Sequence, residues 1–115
     1  MGTTLEDRQL DSVFTALSDR TRRDIVARLS AGEATVKELA EPYAMSMQAV
    51  SQHIRVLERS GLLTQGRQGQ TRPCRLEPVA LEAALSWIEE SRRTWSDRMD
   101  RLETHLAGLQ ERENR

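Results

Sequence analysis

Between Ser46 and Arg59 the side chains Gln48, Ser51, Gln52, Arg55 and Arg59 recur at steps of three or four, which sets them on one face of a helix. Their types suit one chemistry. A glutamine amide carries a donor and an acceptor side by side and pairs bidentately with adenine N6 and N7, while serine is short enough to sit against a base edge. Arginines farther along the face meet phosphate oxygens. Ser46, at the helix start, adds a hydroxyl beside backbone N–H groups that also suit a phosphate. Beyond the helix, Arg67, Arg72 and Arg75 flank Gln68-Gly69. A solvated polar face is the plain alternative for the helix alone, but carboxylates are almost missing from it.

The local charge agrees with that chemistry. The chain has 115 residues and a formal net charge of −1, which excludes nothing, because nucleic-acid binding depends on where the charge lies. Residues 1–45 hold 6 basic and 8 acidic side chains, and residues 77–115 hold 6 and 9. Residues 46–76 hold 5 arginines against Glu58, a local excess of four positive charges.

These residues need a scaffold, and the periodicity supplies one. Leu10, Val13, Phe14 and Leu17 mark a first helix ending near Ser18. Asp19 is the expected N-cap of a second, with Ile25, Val26 and Leu29 inward and Gly32 taking a left-handed position after its end. Thr35 and Glu38 form a capping box for a short third helix bearing Val36, Leu39, Ala40 and Tyr43. Ser46 caps the fourth, which buries Val50, Ile54 and Leu57 and closes at Gly61. Leu62-Leu63-Thr64 and Cys74-Arg75-Leu76 read as two short strands joined through a turn at Gln68-Gly69, and Pro73 argues for an edge position of the second.

Pro78 opens a last helix over about 78–109, in which Leu81, Leu85, Ile88, Arg92, Trp95, Met99, Leu102, Leu106 and Leu109 follow in alternating steps of four and three. That seam is more apolar than a small body can cover. A subunit interface is expected, built from Leu10 and Phe14 of the first helix and Leu85, Ile88, Trp95, Met99, Leu102 and Leu106 of the last. Residues 1–9 read as a flexible arm, 10–109 as a single domain and 110–115 as a frayed tail.

Helix, short turn, helix, then hairpin is the order of a winged helix-turn-helix, so the expected fold is mainly α with a small β-hairpin wing, a homodimer through its first and last helices. The segment FTALSDRTRRDIVARLSAGEATVKELAEPYAMSMQAVSQHIRVLERSGLLTQGRQGQ carries A-L-S-D-x-T-R-R, V-x-E-L-A and S-x-x-x-V-S-x-H-I-x-V-L-E-x-x-G-L-L. Over roughly residues 10–110 the chain resembles the ArsR/SmtB-type transcriptional repressors, with Arg20 in place of the usual proline of D-P-T-R. The resemblance implies a homodimeric repressor on palindromic operator DNA and assigns base reading to Gln48, Ser51, Gln52 and His53. Arg22 and Arg23 are open between backbone contact with DNA and a solvated face.

Many relatives of that kind sense metals. The thiolate sensors carry Cys-x-Cys in the helix here written Val36-Lys37-Glu38-Leu39-Ala40, which has no cysteine. A second class uses Asp and His on the last helix; this chain has Asp97, Asp100, Glu103 and His105 but no D-x-H pair. No metal site and no cofactor are expected, and any effector is unknown. Cys74 reads as a small half-buried strand residue. Trp95 belongs to the seam, and Trp87, one residue off it, packs on the body or lines an effector pocket. MGTTLEDRQL lacks the apolar core of a signal peptide and no run reaches membrane-span length, so a cytoplasmic, nucleoid-associated protein is expected. There is no Ser/His/Asp set and no Gly-rich phosphate loop, so an enzyme is not. The competing reading is a protein-interaction module that binds through the long last helix and touches no DNA.

Overall fold

The computed structural model describes residues 5–66 and 72–114. In chain order the elements are α1 (Leu5–Ala16), α2 (Arg20–Ser30), β1 (Ala34–Thr35), α3 (Val36–Ala40), α4 (Met47–Arg59), β2 (Leu63–Gln65), β3 (Pro73–Leu76) and α5 (Pro78–Glu113). Two units result, 1–84 and 85–115, with α5 contributing to both.

The three inner helices begin where polar caps satisfy backbone donors that have no partner of their own. The Asp19 carboxylate accepts the Arg22 N–H at 3.0 Å. Thr35 and Glu38 exchange hydrogen bonds of 3.1 Å each way, closing the capping box. The Ser46 hydroxyl accepts the Ala49 N–H at 3.1 Å. The end of α4 is equally determined. Gly61 takes φ 85°, its N–H donates to the Glu58 carbonyl at 3.0 Å, and the Leu62 N–H donates to the Leu57 carbonyl at 3.1 Å. This paired pattern is the Schellman stop, and it drops the wholly buried Leu62 into the core. Gly32 also has positive φ, at 154°, far from the left-handed helical value expected there.

One apolar core holds the first unit together. Val13 and Ala16 of α1, Ile25, Val26 and Leu29 of α2, and Leu39 of α3 meet Val50, Ile54 and Leu57 of α4. Leu63, Cys74, Ala80 and Ala84 close it.

The strands differ from the expected hairpin in two ways. The sheet has three strands in the order β1-β3-β2, all antiparallel. β3 is therefore central, and the edge position inferred from Pro73 is corrected. Pro73 is the first residue of its strand, paired with Thr35. A missing N–H is tolerated at that position, and the Pro73 carbonyl still accepts the Gly66 N–H at 2.8 Å. The expected turn at Gln68-Gly69 lies outside the described residues. At the ends, α1 extends back to Leu5 and α5 on to Glu113, past the limits that the apolar pattern suggested.

Candidate nucleic-acid interface

Burial of Val50, Ile54 and Leu57 fixes the roll of α4 about its own axis, and the opposite face follows from that. Gln48, Gln52, Arg55 and Arg59 are exposed along it, and Ser51 is half-buried. Ser46 is exposed just ahead of the helix, with its hydroxyl engaged in the cap.

An open cleft of about 680 Å³ runs between the start of α3, the outer face of α4, the end of β2 and the residue that leads into β3. Gln48, Ser51 and Arg55 line one wall, and Arg72 faces them from the approach to β3. The sequence pointed to these four. It missed Thr35, Lys37, Met47 and Gln65, which line the same cleft. Lys37 is the most consequential of them, an exposed cation that the short helix α3 sets beside the amide-bearing face. Its one clue in the sequence is its place two residues after the capping threonine. Gln52 is exposed but lies outside the cleft wall, and Arg67 lies outside the described residues. Arg75 is tied to Glu77 at 3.4 Å.

Two motifs that look unrelated in the sequence meet behind this face. The Arg22 guanidinium donates to the Ala16 carbonyl at 2.7 Å through Nε and to the Thr15 carbonyl at 3.2 Å through Nη2. Its Nη1 lies 3.2 Å from Nδ1 of His53 on α4. A guanidinium only donates, so Nδ1 is the acceptor and the imidazole proton sits on Nε2. Asp19 Oδ2 is 3.8 Å from the same Nδ1; the shorter Arg22 contact governs, and the two cannot both be made by one protonation state. Arg23 donates to the Leu17 carbonyl at 2.8 Å. Both arginines, left open between DNA and solvent, thus cap the carbonyl end of α1. His53, grouped with the base readers by resemblance, turns Nδ1 toward the body, with its side chain 21% exposed.

The remaining candidates separate clearly. Cys74 is wholly buried rather than half-buried, because its strand is central. Burial, reinforced by the Glu58 carboxylate, pushes its thiol up to about 11, so thiolate is scarce at neutral pH. Among the described residues no three His, Cys, Asp or Glu side chains gather about a point where one metal ion would fit. Leu10 is half-buried against the core, and Phe14 is 37% exposed. Along α5, Leu85, Ile88, Trp95, Met99, Leu102 and Leu106 are between 39% and 64% exposed, an apolar row on the surface of a single chain.

A helix-turn-helix domain family matches residues 17–66, the segment that contains α2, α3, α4 and β2. The transcriptional repressor SdpR of Bacillus subtilis is 30% identical over 79 residues, covering 69% of this chain and 88% of that protein. The crystal structure of the ArsR family transcriptional regulator RHA00566 superimposes with a TM-score of 0.75 at 38% identity, over 84% of this chain and 97% of the other. The chain belongs to the ArsR family of winged helix-turn-helix transcriptional regulators. A further ArsR-type relative is the homodimeric winged helix-turn-helix DNA-binding domain of Mb0332 from Mycobacterium bovis, a possible ArsR-family regulator solved in solution. It is 25% identical, with a TM-score of 0.61 over 81% of this chain and 92% of that one. The residues that the helix-turn-helix family matches include Thr35, Lys37, Gln48, Ser51, Arg55 and Gln65 of the cleft. No helix among the described residues is long and apolar enough to cross a membrane.

Proposed function

We propose that this ArsR-family regulator is a homodimeric repressor that reads a palindromic operator without a metal sensor. The observation that carries the reading is the cleft in which Gln48, Ser51 and Arg55 of the recognition helix face Arg72 of the wing. Amides at the start of a major-groove helix read base edges, and cations at the rim hold phosphates in register. In this reading Gln48, Ser51 and Gln52 supply base contacts, Ser46, Arg55, Arg67 and Arg72 grip the backbone, and Lys37 joins them from α3. His53 stands beside the readers and acts on them from behind.

The exposed apolar row of α5, with Leu10 and Phe14 of α1, forms the interface between two copies. The homodimeric state named for Mb0332 supports that assembly. Two copies double the basic stretch and present two recognition helices, matching half-sites about 10 bp apart.

Fluorescence anisotropy with the chain's own upstream DNA and a scrambled control, at two salt concentrations, tests the proposal. The expected result is selective binding at about 10⁻⁸ M or tighter, weakening steeply with salt and unchanged between zinc and chelator. Equal affinity for both DNAs, or binding that requires zinc, contradicts it.

A further inference from the structure

We infer that Arg22 is a positioning residue for base reading: through neutral His53 it locks the recognition helix to the end of α1. The inference rests on the DNA-binding function proposed above and assigns the control of that site to residues that touch no DNA. Three facts carry it. Arg22 is spent on the protein, with Nε and Nη2 on the Ala16 and Thr15 carbonyls and Nη1 on His53. Its own backbone N–H is held by Asp19, so both the main chain and the side chain of this residue are fixed at the start of α2. His53 follows Gln52 directly on α4 and flanks the polar face, where its ring resists rotation of the helix about its axis.

The geometry specifies what the clamp does. Buried Val50, Ile54 and Leu57 fix α4 by non-directional packing, which tolerates a few degrees of roll. The Arg22–His53 hydrogen bond is directional, and it joins a side chain beside the reading face to two other helices. Bidentate amide pairing with a base is sensitive to small angular errors, whereas an arginine on a phosphate is not. Loss of the clamp therefore removes discrimination between sequences and spares general affinity.

The test measures operator and random-sequence affinities for Arg22→Ala, Arg22→Lys, His53→Leu, His53→Asn and the Arg22→Ala/His53→Leu double variant. Each is measured at a temperature where circular dichroism shows the variant folded. Arg22→Ala and His53→Leu are expected to lower the operator-to-random ratio about tenfold each, with random-DNA affinity and salt slope kept. The double variant is expected to be no worse than either single change, the signature of one shared contact. His53→Asn, which keeps an acceptor near the Nδ1 position, and Arg22→Lys, which keeps a donor, should recover part of the ratio. Additive losses, an equal fall on both DNAs with a salt slope reduced by about one, or instability with an unchanged ratio would each overturn the inference. Failure of the parent chain to prefer its operator would instead overturn the function on which the inference rests.

Discussion

Asp19 links stability to pH at a single side chain. Its carboxylate accepts the Arg22 N–H, and that bond, helped by the charge of the Arg22 guanidinium, holds its pKa below the ordinary 3.8. A group with a lowered folded pKa adds stability that is fully present above its unfolded value and is lost as pH falls through the folded one. The Asp19 contribution is therefore complete above about pH 4 and fades below it. Asp19→Ala should cost about 1 kcal/mol at pH 7, measured by urea unfolding, and the gap to the parent chain should shrink steadily below pH 4. Asp19→Asn keeps a capping oxygen without the charge and should show little of that pH dependence; a gap constant down to pH 2 would contradict the assignment. The proposed reading residues should also divide by role. Gln52→Ala should relax base preference at one operator position by about tenfold. Arg72→Ala should weaken binding to all sequences and lower the salt slope by about one. Losses equal on specific and random DNA for both variants would contradict the division. Cys74 should resist alkylation in the native protein and react fully in denaturant, because its thiol is buried and its pKa raised.

The helices were the most legible elements, because each announces itself by a local rule. Asp19, Thr35 and Ser46 cap where side-chain oxygen and helix spacing coincide, and Gly61 stops α4 with a positive φ that favours glycine. Gly61→Ala should cost about 1–2 kcal/mol even though a Cβ there meets Ala80 and Gln9 only at 3.7 Å, since backbone conformation and not space is limiting. An unchanged thermal midpoint would show that α4 ends by another means. What was not legible depends on partners distant in sequence. β1 is two residues long, too short for a period, and exists because β3 lies alongside it. That pairing turned an expected edge strand into a central one and took Cys74 from half-buried to wholly buried. The Arg22–His53 contact spans 31 positions, and no spacing rule connects them. The cleft was half visible. Its α4 wall follows from helical period, but Lys37 and Gln65 reach it only through the placement of α3 and β2.

For the whole molecule, the charge and the apolar surface divide the chain by task. The positive excess lies in residues 46–76, and the exposed apolar row lies on α5 from Leu85 onward, in a chain whose net charge is −1. In the proposed complex an acidic remainder would discourage other surfaces from lying on DNA and favour contact through the basic stretch. Trp95→Glu or Leu102→Glu should shift the protein from dimer to monomer in analytical ultracentrifugation. Operator affinity should fall with it, since one recognition helix then reads one half-site; a dimer that persists in both variants would place the interface elsewhere. In the proposed complex a pair of α4 helices, each with its wing, reads two successive major grooves of one operator. Hydroxyl-radical footprinting of the chain on its own upstream DNA tests this most directly. Two protected patches about 10 bp apart, both weakened by Arg72→Ala, are the predicted result; a single patch, or protection without periodicity, would contradict it.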